Sequence, residues 1–327
     1  MGELALTKYQ VGKQTTFGTA VAATRKFYGK VAVPKDRETS FPEDQSGSRS
    51  KARRGVVYQV FADGIKLTAH AFQDCLPLLK ASLKDATGAE QTPSQLDYLY
   101  DFLPSLTAAN SPKGLTLEYG DDTQAYEIED VYGRELRFAG RTGQNAGATL
   151  EMTAFGKQIS TSTFTSLSDV ALEDMIGNLA KIYVDTSWAG LGGTVKADIL
   201  REWDIRILTG LHPKFHGNSK MMTTMAEGFI DCMGSFTFEG NANADTEWDN
   251  WRAGTARAIR LELPGSQLGS GDPHSLVFDM WGQWKEIVPL ANSQEGNNLH
   301  TCVFETYKDP TSGNKVGVSL TTNVASF

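Results

Sequence analysis

The stretch 125–156, AYEIEDVYGRELRFAGRTGQNAGATLEMTAFG, decides how this chain is read. Tyr126, Ile128 and their even-numbered neighbours face one way, and Glu127 and Glu129 face the other. Gly140, Gly143 and Gly147 mark a turn, and the alternation resumes from Thr149 to Phe155. Period-two alternation on both sides of a glycine-rich turn predicts a β-hairpin. About 150 residues later the pattern returns: Leu276 to Met280, a turn through Asn292, Gly296, Asn297 and Asn298, then Thr301 to Tyr307. The strand before each hairpin agrees best, Leu115-Thr116-Leu117-Glu118-Tyr119 against Ile259-Arg260-Leu261-Glu262-Leu263.

The echo reaches both N-terminal ends. Tyr9, Gly18 and Val21 are matched by Tyr183, Gly192 and Val195, each 174 residues on, and Phe27 and Val31 by Trp203 and Ile207, 176 on. Drift in the offset calls for loop insertions, not a different fold. The expected architecture is therefore mainly β, with two tandem copies of one β-sandwich or barrel-like domain, each flanked by a short helix. The domains are expected at residues 1–160 and 171–327, joined by a Ser/Thr-rich linker at 161–170.

The 327 residues suffice for two ordinary domains, and 40% hydrophobic residues fill a core. No apolar run is long enough for a membrane helix. No charged stretch followed by an apolar block opens the chain, so no secretory signal is expected. Cys75, Cys232 and Cys302 are far apart and odd in number, which implies free, mostly buried thiols in a reducing compartment. A net charge of −8 argues against gripping nucleic acid, since phosphate binding needs a basic excess.

Along the chain, strands are expected at 6–11 and 26–33. A charged loop at 35–54 follows, with Arg49, Lys51, Arg53 and Arg54 near its end. A connection of that length inside a compact domain is commonly functional, and a protein-contact arm is the reading preferred here. Asp63-Gly64 predicts a type I′ hairpin joining 56–61 to 65–71. Phe72, Cys75, Leu76, Leu79 and Leu83 recur at helical spacing and predict an amphipathic helix over 72–84, where Pro77 must sit in the first turn or shorten the helix. Residues 85–112, with the aromatic patch Tyr98, Tyr100 and Phe102, have no counterpart in the second half and read as an insertion. The second half is expected to hold strands at 181–185, 203–209 and 233–239, a loop at 210–228, a short helix near 246–253 and a last strand at 315–325.

Several residue groups invite chemistry. His212 and His216 have zinc-like spacing, but Pro213 and flanking glycines oppose a helix and no third ligand is evident. Asp121-Asp122 reads as a turn, and Glu127, Glu129 and Asp130 as a solvated sheet face rather than acid–base or calcium carboxylates. Gly190-Leu191-Gly192-Gly193-Thr194 lacks the lysine of a phosphate loop and reads as a turn. Trp281 and Trp284 either stack on sugars or, the preferred reading, pack at a domain face. No Ser/His/Asp set stands in a recognisable frame. The residues imply no catalytic group, cofactor or metal.

Together these features resemble the major tail tube proteins of long-tailed, non-contractile (siphovirus-type) bacteriophages. Thr16-Phe17-Gly18-Thr19-Ala20-Val21 is similar to the family's Gly-Thr-Ala entry segment, and the strand, long loop, strand order of 26–61 to its extended hairpin. Ile182-Tyr183-Val184-Asp185-Thr186-Ser187-Trp188 opens the second half in a similar way. The resemblance implies a structural virion protein, not an enzyme. It would self-assemble in the bacterial host cytoplasm into trimeric, pseudo-hexameric rings stacked as the tail tube. It would surround a tape-measure protein, meet tail terminator and tail-tip proteins, and conduct DNA at ejection without specific binding. Arg49, Lys51, Arg53 and Arg54 are then expected between subunits or rings, and Glu127 and Glu129 on an acidic lumen. Two other classes compete: a tandem β-sandwich module binding carbohydrate or a receptor, and an enzyme on a β scaffold.

Overall fold

A computed structural model describes residues 6–41, 43, 53–294 and 296–327. The fold is mainly β, 50% strand against 9% helix. The first half holds β1 (Lys8–Lys13), β2 (Arg25–Lys26), β3 (Lys30–Ala32), β4 (Arg37–Ser40), β5 (Val56–Val60), β6 (Ala62–Ala69), α1 (Phe72–Ser82), β7 (Ala89–Glu90), β8 (Tyr98–Asp101), β9 (Leu115–Gly120), β10 (Ala125–Arg141), β11 (Ala148–Gly156) and β12 (Ile159–Ser162). The second holds β13 (Lys181–Asp185), β14 (Leu200–Leu208), β15 (Leu211–Lys214), β16 (Thr224–Glu227), β17 (Asp231–Glu239), α2 (Ala242–Arg252), β18 (Ala256–Gln267), β19 (Pro273–Gln294), β20 (Asn297–Thr306) and β21 (Val316–Thr322).

The hairpin expected at 125–156 is β10 and β11, paired from Tyr132↔Phe155 to Gly140↔Ala148. β10 is too long for one sheet. Its N-terminal part lies between β9 and β12, and its C-terminal part between β11 and β14. The change falls at a register shift between Ile128 and Val131, where Asp130 takes φ +55. A bulge there bends the strand and re-aims its side chains. β19 does the same, pairing first with β18 and β21 and then with β20, with a shift between Trp284 and Glu286.

The result is one large antiparallel sheet in the order β3–β6–β11–β10–β14–β17–β20–β19. Two smaller sheets accompany it: β2–β1–β9–β10–β12, and β13–β18–β19–β21–β8–β7. Traced strand by strand, the ladders branch at β10 and β19 and never return on themselves. The large sheet thus ends on two open edges among the described residues, β3 and the C-terminal part of β19.

The same pairings occur in each half. β1 pairs β9 as β13 pairs β18, β6 pairs β3 as β17 pairs β14, and β11 pairs β6 as β20 pairs β17. A small hairpin, β4–β5 or β15–β16, precedes the β6 or β17 strand, and a helix follows it.

One core serves both halves. Leu136 and Phe138 of β10 point into it, with Phe138 stacked on Phe278 of β19 at 4.6 Å and tilted on Trp203 of β14 at 5.9 Å. Every residue of α1 is buried, including Asp74 and Lys80, because strands of both halves close around it. Lys80 keeps its charge paired through Asp85 (3.3 Å) and the Phe327 carbonyl (2.9 Å). The three cysteines are buried and form no disulfide.

Several local expectations are corrected. β5 pairs with β4, not β6, and Asp63-Gly64 is not a hairpin turn. Gly64 takes φ +81 within β6, where the register against β11 shifts between Ala154 and Phe155. The left-handed conformation that would make a type I′ turn here makes a bulge. The 35–54 loop is partly strand, since Arg37–Ser40 is β4. The 210–228 loop is likewise the β15–β16 hairpin. Pro77 lies inside α1, where it cannot bond the Gln73 carbonyl and burial holds the helix instead. In 85–112, β8 joins the far half, Tyr100 opposite Leu320 of β21. Residues 159–162 form β12, and Thr165 donates its N–H to Glu118 at 3.0 Å.

All six tryptophans lie between 188 and 284, so their fluorescence reports the second half. Phe138→Ala, in the first half, is expected to remove about 3–5 kcal/mol and to lower the urea midpoint read by that fluorescence. A midpoint left in place would contradict the shared core.

Candidate assembly surface

The large sheet has one face in the core and one polar face. Alternation fixes which residues lie on each. On the polar side one row crosses all eight strands: Lys30, Thr68, Glu151, Arg137, Arg206, Met233, Glu305 and Gln283. A neighbouring row runs Thr149, Ala139, Asp204, Ser235, Val303 and Glu286.

Acids and bases are interspersed across this face. Arg137 grips Asp204 with two hydrogen bonds, 2.9 and 2.8 Å, across the β10–β14 seam. Arg206 reaches the same carboxylate at 3.1 Å. Burial works against that charge, but the donors from Arg137 and Arg206 outweigh it and hold Asp204 below the usual carboxylate range. Lys66–Glu151 at 3.4 Å and Lys285–Glu305 at 2.8 Å continue the pattern. A face of alternating charge has no basic excess with which to hold phosphates.

The two acids expected on a lumen are not on this face. Glu127 and Glu129 stand on the N-terminal part of β10, in the small sheet, both half-buried. Glu129 is paired with Lys157 at 2.8 Å, and Glu127 accepts from Ser160 and Ser162 at 3.3 and 3.2 Å. Of the four anticipated contact bases, Arg53 and Arg54 are exposed just before β5, and Arg49 and Lys51 lie outside the described residues. His212 is on β15, a strand, and His216 contacts Thr223 at 2.5 Å. Trp281 and Trp284 are buried, 7% and 3% exposed, and Trp284 donates to Glu247 at 3.0 Å, so neither offers a ring face to a sugar. Asp121 caps a turn through the N–H groups of Thr123 and Gln124.

The entry segment at 16–21 leads into a strap over the polar face of the small sheet. Gly18 N–H meets both oxygens of Asp130 (2.9 and 3.0 Å), Val21 N–H meets Thr116, and Ala23 N–H meets Glu118. Gln14 accepts from the Asp130 N–H at 3.0 Å. Asp130, expected on a solvated sheet face, is fully buried. The large polar face was also missed, although its signal is the alternation in 135–141, 202–208 and 231–239.

Compared with known proteins, the chain matches no family model and no curated protein.

Asp130 yields a pH test. Burial pushes its carboxyl up to about 6, the Gly18 N–H and Lys157 oppose this, and Glu129 adds to it. A carboxyl with a raised folded pKa destabilises its protein when ionised. The cost is absent below about 4 and complete above about 6, on the order of 1–3 kcal/mol. Asp130→Asn keeps an acceptor for Gly18 and tolerates φ +55. Its melting temperature relative to wild type is expected to rise between pH 4 and pH 7. A pH-independent difference would refute the assignment.

Proposed function

We propose that this chain is a self-assembling structural subunit, a phage tail tube protein built of two tandem copies of one β unit. Three chains would close into a ring of six units, and rings would stack into a tube. The observation that carries this reading is the β10–β14 seam. There the last strand of the first half's sheet pairs with the first strand of the second half's sheet. The equivalent outer strands are β19 and β3, and each has one open edge. An open edge invites association unless paired, and repeating the seam between chains pairs both. In that ring the polar face of the large sheet would line the channel. DNA in transit would meet interspersed charges, and the tape-measure protein would occupy the channel before it.

The carbohydrate form of the binding-module reading rested on Trp281 and Trp284, which are buried and so lend it no support. The domain division, the virion location and the terminator and tip partners belong to the proposal through the resemblance.

Negative-stain images of the purified protein are expected to show three-fold rings or tubes. Monodisperse monomer at every concentration, or a six-fold ring of whole chains, would overturn the proposal. Val288 and Leu290, 39% and 66% exposed, lie on the β19 edge segment. Val288→Lys with Leu290→Lys is expected to leave the melting temperature nearly unchanged and to abolish association, because charge on an edge strand blocks pairing.

A further inference from the structure

Within the chain, the second half's hairpin reaches back across the seam. Leu211 and Met222, both buried, pack with Met225 against Phe17, Phe61, Tyr132 and Phe155 of the first half. Phe215 meets Phe61 edge-on at 5.3 Å and 84°. The Val60 N–H adds a bond to the Lys220 carbonyl at 2.9 Å. The β15–β16 hairpin therefore fills a groove beside the start of β6 and the end of β11.

The equivalent groove in the second half lies beside the start of β17 and the end of β20. It is an open concavity of about 780 Å³, walled on one side by residues 105–110 of the first half, Leu106 among them, and on the other by Phe229, Ile230, Tyr307 and Lys308. Phe229 is 97% exposed. It sits in the link between β16 and β17, as Phe61 sits between β5 and β6. A phenyl ring fully in water forgoes the burial that its apolar area would otherwise contribute. The equivalent hairpin, β4–β5, has β4 exposed along its whole length. Its Tyr58 and Phe41 are 66% and 58% exposed. Phe41 directly follows β4, as Phe215 directly follows β15.

We propose that the Phe229 groove receives the β4–β5 hairpin of a second copy of this chain, with that copy's Phe41 meeting Phe229 as Phe215 meets Phe61 within the chain. The inference rests on the ring reading, because a seam repeated between β3 and β19 carries the β4–β5 hairpin to the neighbour's second half. It assigns the fully exposed phenylalanine a partner, and it makes the contact between chains a copy of the contact inside one.

Mixing two single-site variants tests it, Phe41→Cys and Phe229→Cys, under a mild oxidant. The native thiols do not interfere, since burial pushes all three above their usual range. A disulfide-linked band at twice the chain mass is expected in the mixture and absent from either variant alone. Mixing excludes a link within one chain. Phe229→Ser is expected to keep the wild-type melting temperature and lose ring formation. If wild type forms rings, the mixture stays unlinked and Phe229→Ser assembles normally, the groove assignment falls and the ring reading survives. If wild type never associates, both fall.

Discussion

The ladder between β10 and β14 is the constraint on which the rest of the molecule depends. It is seven residue pairs long, from Glu135↔Leu208 to Arg141↔Glu202, and it is the only place where the first half's part of the large sheet pairs with the second half's among the described residues. Its register is set by burial more than by charge. The Arg137–Asp204 pair is partly exposed and contributes on the order of 0.2–1 kcal/mol. Leu136 and Phe138 between those charges are buried, and truncating such a ring costs about 3–5 kcal/mol. A slip of one residue would turn Arg137 into the core and Phe138 into water. The ion pair is therefore a consequence of the register, and the aromatic stack on Phe278 is its cause.

Sharing a core has a cost, and α1 bears it. A helix wrapped by both halves must bury whatever polar groups its sequence carries. Asp74 is pushed up to about 6 by burial, against the pull of Arg25 at 4.0 Å and of the Tyr28 and Gly29 N–H groups. Arg25 is lowered by the same burial. Such a pair is weak evidence for stability, since desolvation offsets most of its attraction. The stabilisation of α1 comes from Phe72, Leu76, Leu78 and Leu79, all fully buried.

Local periodicity carried much of the fold into view. The 125–156 hairpin and the α1 helix were legible because each signal is contained within a few turns or one strand pair. Failure came where one local signal serves two geometries. Asp63-Gly64 supplies a positive φ, which a type I′ turn and a glycine bulge both need, and only the partner strand decides between them. It also came where the partner is remote. Nothing near Tyr98–Asp101 announces that its ladder runs to Val316–Thr322. The acids at Glu127 and Glu129 alternate with Tyr126 and Ile128 in the sequence. Their sheet could not be read, because the bend at Asp130 assigns it. Asp130 itself looked like one more surface acid, for its Gly18 partner is 112 residues away.

The two open edges are unlike each other, and this shapes what association they permit. β3 is three residues long, whereas the terminal part of β19 runs from the bulge at Trp284 to Gln294. A short edge pairs poorly with itself, so β3 against β3 is disfavoured, and β19 against β19 lacks the hairpin contact that accompanies the inner seam. Association through β3 and β19 is then heterologous, one kind of edge meeting the other. A heterologous contact closes into a ring or runs on as an open helix, according to the rotation it imposes. Here the chain carries its own template for that rotation. The β10–β14 seam and the β15–β16 hairpin hold two like-paired halves at one fixed relation, set by a buried core rather than by a mobile link. In the proposed assembly the outer seam and the β4–β5 hairpin repeat that relation. Repeated around an axis, that relation would supply the rotation on which closure of the proposed ring depends.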